Sequence, residues 1–186
     1  MERNDPGTPL KPTGRISTRH IAAALRKVRA RDVTQQTALV DEIKITQPNL
    51  LASCLVQAQL GADQNTVGFL LNILLVCYQA MHASGLHWPL ITEAEQERQM
   101  ARMVGSVNFS EDLRDPTAAD AARSHYVAGH PEQPLLAFVL GECGGWLREL
   151  ARTNAEKESD KYVLMAAVNL VNCIAYTALP TRHRAL

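Results

Sequence analysis

The sequence predicts an all-α fold: one compact bundle of about six to eight helices behind a flexible N-terminal lead-in. Three observations lead there. Ala and Leu dominate while aromatic residues make up only 5% of the chain, a balance that favours helices over strands. Apolar residues recur at three- and four-residue spacing along most of the sequence. Caps and breakers punctuate that pattern at intervals of helical length.

The 186 residues suit one domain of ordinary size. Residues 1–16 hold Pro6, Pro9, Pro12, Gly7 and Gly14, which leave little room for regular structure and read as a flexible segment. The helical domain is expected over 17–181, followed by a tail at 182–186. Ser17 can cap a first helix in which Ile21, Leu25 and Val28 form the apolar stripe, making 17–31 a basic amphipathic helix at the edge of the domain. Asp32 with Gln35 imitates a capping box, so a break is expected there rather than one helix on to Ile45. Pro48 opens the next helix and Gly61 stops it.

Asp63 then starts a longer helix that Gly85 closes. Its apolar residues between Val67 and Val76 cover nearly the whole circumference, which predicts a central position. Thr92 and Glu95 mark another start, with an irregular link expected around Asn108 to Arg114. Asp115-Pro116 opens a short Ala-rich helix ending at Gly129-His130-Pro131. The helix begun at Pro134 carries Gly141, Gly144 and Gly145 in its interior, each about 1 kcal/mol worse than alanine. Close packing of another backbone against them is the expected compensation. Thr153 and Glu156 predict the start of the last helix, running to about Leu179.

Gln47-Pro48-Asn49-Leu50-Leu51-Ala52 resembles Gln133-Pro134-Leu135-Leu136-Ala137. Two pseudo-repeated helical hairpins are one explanation, and shared helical composition is the other.

No export signal is read in the polar stretch from Met1 to Gly14, so the cytoplasm is the expected compartment. Cys54, Cys77, Cys143 and Cys173 are far apart and sit in apolar stretches. They read as buried free thiols, with a disulfide or a zinc site as the alternatives. Thr66 to Ala83 and Tyr162 to Leu179 lack Asp, Glu, Lys and Arg, and each approaches the lower length limit for a spanning helix, about 17 residues. Interior polar residues make them buried helices instead, so no membrane span is expected.

Chemistry-bearing motifs are missing. His82 and His87, like His125 and His130, stand five apart, about 500° around a helix and therefore on different faces. Glu93 with Glu97 and Asp112 with Asp115 read as helix-start acids before metal ligands. There is no phosphate loop and no nucleophile elbow. No catalytic residue, metal ligand or cofactor is assigned.

Two groups of residues remain. Arg15, Arg19, Arg26, Lys27, Arg29 and Arg31 form a basic segment without an intervening acid, suited to an acidic partner or, through residues 15–31, to nucleic acid. Asn72, Asn169 and Asn172 lie in the most apolar helices, where an unpaired amide costs about 1–3 kcal/mol. They are expected to form a buried polar network or a ligand site. The leading expectation is a non-enzymatic helical protein, an adaptor, small regulator or oligomeric scaffold, that associates with a protein partner or itself. Behind it stand a nucleic-acid-linked regulator with a helical ligand-binding or dimer body, and an all-helical metal-dependent hydrolase.

Overall fold

The computed structural model describes residues 14–112 and 116–179, in which eight α-helices form one bundle and no strand occurs. They are α1 (Thr18–Arg29), α2 (Val33–Thr46), α3 (Pro48–Leu55), α4 (Gln64–Ala83), α5 (Glu93–Asp112), α6 (Pro116–Ala128), α7 (Gln133–Thr153) and α8 (Asp160–Tyr176). A short 3-10 turn, Val56–Ala58, extends α3.

Local chemistry sets most of the helix starts. Ser17 Oγ accepts the His20 amide while His20 Nδ1 accepts the Ser17 amide, a reciprocal box that begins α1. Asp32 and Gln35 do the same for α2, so the expected break between these helices is real. Asp63 accepts the Thr66 amide at the head of α4, and Gly85, at φ +68°, ends it in a left-handed conformation open to glycine.

Three expected boundaries are corrected, and one expected capping box is only half formed. The helix α5 continues through Asp112 instead of yielding to a link at Asn108, since no proline or glycine interrupts the ladder between Gly105 and Pro116. Glu95 completes only half of its box: its amide bonds Thr92 Oγ1, but its carboxylate turns to Gln99 and Arg98. Thr153 ends α7 rather than opening α8, because Asn154 takes the left-handed cap conformation. Finally, α8 stops at Tyr176, short of Leu179, since Pro180 is incompatible with a helical carbonyl four residues before it.

The centre of the bundle is the α4–α8 pair. From Ile73 to Met81 every residue of α4 is buried, as the all-round apolar pattern requires. Among the described residues α4 is the one helix long and apolar enough to cross a membrane; 67% of its apolar window is buried inside this fold. Around the centre, one packing plan occurs twice. The first helix of each half lies on the fourth, α1 on α4 and α5 on α8; α2 meets α3 as α6 meets α7; α3 meets α4 as α7 meets α8. The unit that repeats is four helices, larger than the expected hairpin.

The two halves also close on each other by one device. The residue before α3 is Gln47, and its Oε1 accepts the Ile91 amide at 3.0 Å, just before α5. The residue before α7 is Glu132, and its Oε2 accepts the Ile16 amide at 2.9 Å, just before α1. Ile16 and Ile91 are both buried. The structural counterpart of Gln47 is thus Glu132, one residue away from the Gln133 of the sequence match.

Glu132 does more than its counterpart. Fully buried, its carboxylate also accepts the Arg15 amide at 3.2 Å and Arg15 Nε at 2.9 Å. The guanidinium then reaches the end of α8, donating to the carbonyls of Ile174, Ala175 and Thr177 at 2.6–2.9 Å. Those are orphan acceptors of a helix end, whose partial negative charge a guanidinium suits. The guanidinium thus caps the end of α8. Trp88 covers the cation at 4.7 Å. Gly14 passes so close that a Cβ there would lie 2.7 Å from Glu132 Oε2. Residues 14–16, assigned above to the flexible lead-in, are therefore bound into the fold; residues 1–13 and the expected tail at 182–186 lie outside the described residues.

Arg15 is partly exposed and would keep its three carbonyls, so losing Glu132 costs on the order of a charged hydrogen bond, about 1.5–3 kcal/mol. Glu132→Ala should lower the unfolding free energy by that order, measured by urea denaturation. Glu132→Gln should cost less, since it keeps one acceptor oxygen. At exposed Asn72, truncation to alanine should stay within about 0.5 kcal/mol. A loss under about 1 kcal/mol for Glu132→Ala would show that the pair does not hold the halves together.

Candidate functional site

The three asparagines do not form one network. Asn72 is exposed on α4, which corrects its placement among buried polar groups: it shares the outer face of the helix with exposed Asn65 and Gly68, while Thr66 and Leu70 on the other side are buried. Asn169 and Asn172 are buried, yet they serve different neighbours. Asn169 Nδ2 donates to the Gln96 carbonyl of α5 at 3.1 Å, leaving Oδ1 without a hydrogen-bond partner. Asn172 Oδ1 accepts Tyr126 Oη at 2.8 Å and faces His130 Nε2 at 3.1 Å, tying α8 to α6 and the turn before α7.

His130 links that cluster to the Glu132 carboxylate. Its Nδ1 accepts the Glu132 amide at 3.1 Å, so the neutral ring carries its proton on Nε2 and donates to Asn172. The result is a chain of bonds from Tyr126 through Asn172, His130 and Glu132 to Arg15. A chain with its groups paired in this way fixes geometry. Sequence reasoning missed Glu132, His130 and Tyr126. The acidic residue beside Gln133-Pro134 was a visible signal, but its partner Arg15 is 117 residues away.

The basic segment divides. Arg15 faces inward, in the ion pair described above. Arg19, Arg26, Lys27 and Arg29 are exposed, while Arg31 is half-buried beside Gln35 and Glu42 in a shallow pocket. None of these five has a carboxylate within ion-pair distance among the described residues.

Next to these cations, α1 and α7 leave an open groove of about 590 Å³. Thr18, Ile21, Ala22 and Leu25 form one wall, and Gln133, Pro134, Ala137 and Phe138 the other. Ile16 and Glu132 anchor the two helices where the groove begins. The glycines of α7 extend its wall. Contrary to expectation, no helix packs on them: a Cβ on Gly141 would meet nothing within 4 Å, and those on Gly144 and Gly145 would meet only Arg148 of the same helix. Sequence can show that a helix face is bare, but not whether its cover lies inside the fold.

Reactive groups are sparse. The four cysteines are free and buried. Burial pushes the thiols of Cys54 and Cys173 up to about 12 and that of Cys143 to about 11, keeping them protonated and poorly nucleophilic. Among the described residues no three His, Cys, Asp or Glu side chains come together as metal ligands would. The chain matches no protein-family profile, and no curated protein or solved structure matches it either.

Burial lowers the His130 pKa below its ordinary 6.5, outweighing the opposing hydrogen bonds to Asn172 and Glu132. The unfolded chain then binds the extra proton more readily than the folded one. Stability from this group is full above pH 6.5 and declines as the pH falls from there towards the folded pKa. The stability difference between wild type and His130→Gln, followed by denaturation at several pH values, should therefore shrink on acidification below 6.5. A difference independent of pH would show that His130 is not held neutral.

Proposed function

We propose that this chain is a non-enzymatic interaction protein, an adaptor, small regulator or scaffold that works by association, and that the α1/α7 groove is where it docks. The open face of α7 carries the reading. Interior glycines weaken a helix by about 1 kcal/mol each relative to alanine. Among the described residues no neighbouring helix returns that loss, since a Cβ on Gly141 would meet nothing within 4 Å. A docked partner would return it, because a bare backbone admits close approach. The apolar walls supply the burial that association requires.

The cations of α1, which meet no carboxylate among the described residues, favour nucleic acid as a second reading. One experiment separates them. A photo-crosslinking residue in place of exposed Ala137 should form protein adducts in cells, whereas the same residue at exposed Glu156, in the α7–α8 loop, should not. Adducts to nucleic acid alone would favour the second reading. Absence of any adduct at Ala137 would count against docking in the groove.

A further inference from the structure

Resting on that association reading, we propose that the α1/α7 groove receives an amphipathic helix with acidic flanks, supplied by a protein partner. Three features of the groove select this occupant. The first is shape. α1 and α7, joined where Ile16 meets Glu132, line the two sides of a shallow open groove, along which a helix can lie. Its length follows from α1: from Thr18 to Leu25 the helix advances about 10 Å, the length of some two turns of a partner.

The second is the floor. Ala22, Leu25, Pro134 and Ala137 offer carbon to the occupant, matching an apolar stripe at helical spacing. A phosphate backbone gains nothing from such a floor, and the exposed part of α1 has no aromatic ring on which a base could stack.

The third is the charge at the rim. Thr18, Ala22, Leu25 and Arg29 follow one line along α1, while Pro134, Ala137, Gly141 and Arg148 follow one line along α7. Each line leaves the junction over apolar or small residues and ends in an arginine. Arg19 and Arg26 stand on the outer flank of α1. Of the nearby acids, Glu149 is already paired with Arg152, and Glu142 is turned about 100° from Gly141. The rim is therefore net cationic, and carboxylates on the incoming helix would supply its missing counter-charges. Since Arg19, Arg26 and Arg29 are exposed, these pairs set orientation and partner choice, while the apolar floor supplies most of the affinity.

Two fluorescein-labelled peptides test this with the full-length chain. Both carry leucines at helical spacing; one has glutamates on its flanks, the other lysines at the same positions. Anisotropy titration should show binding of the acidic peptide and at least about tenfold weaker binding of the lysine peptide. High salt should weaken the acidic complex without abolishing it. Arg26→Glu with Arg29→Glu should reduce its affinity at least about tenfold, and Ala137→Glu should remove it. These positions are exposed, and unchanged melting curves would confirm that the variants fold. Equal binding of both peptides, or binding that survives Ala137→Glu, overturns the proposal. So does preferential binding to phosphatidylserine vesicles or duplex DNA. If the acidic peptide fails while crosslinks at Ala137 persist, this partner class falls and the association reading stands; if both fail, both fall.

Discussion

Glu132 places a negative charge in the interior of the bundle, and the fold is organised around satisfying it. Isolated, such a carboxylate would be expensive to bury. Here it receives two backbone amides and a guanidinium, all from Arg15 and Ile16. The guanidinium is satisfied in turn by the last carbonyls of α8 and the ring of Trp88. One ion pair therefore joins the start of α1, the start of α7, the end of α8 and the loop before α5. No apolar contact could fix these four pieces with the same directionality, because carbon packing tolerates sliding where hydrogen bonds do not.

The corresponding point between α3 and α5 is solved without charge. Gln47 accepts the Ile91 amide and donates to the Pro89 carbonyl, so one side chain meets both a donor and an acceptor. The helix pair that follows the same plan on the other side uses a carboxylate, which can only accept, and adds an arginine to meet the acceptors at the end of α8. Two chemical solutions to one geometric task explain why the packing plan repeats while the sequences differ. They also give the molecule an asymmetry: the charged closure lies at the head of the α1/α7 groove, and any docking there would occur against a firmly fixed junction.

Legibility in the sequence follows the range of the interaction. Ser17, Asp32 and Asp63 act within three residues of themselves, and the helix starts they predict are found. The uniform apolar coat of α4 likewise placed it at the centre. Contacts made by distant residues were not readable. The cap on the end of α8 comes from Arg15, some 160 residues earlier, and the inward turn of Arg15 goes with its pairing to Glu132; by composition alone Arg15 looked like its neighbours Arg19 and Arg26. Asn72 and Asn172 have similar local surroundings in sequence, yet one meets solvent and the other meets Tyr126 and His130. The glycines of α7 led to the expectation of a helix packed on them, yet among the described residues none is there, because that contact depends on tertiary packing.

The central claim is that the segment entering α1 is part of the core because Glu132 holds it there. Its most direct test is amide hydrogen exchange at Arg15 and Ile16, read by nuclear magnetic resonance. These amides precede the first helix and have no backbone partner of their own, so in a loose N-terminal segment they would exchange almost freely. Bound to a buried carboxylate, they should instead exchange as slowly as the core amides of α4, through global unfolding. Rapid exchange at both positions in an otherwise protected protein would contradict the account, because the two halves would then have to be joined by apolar packing alone.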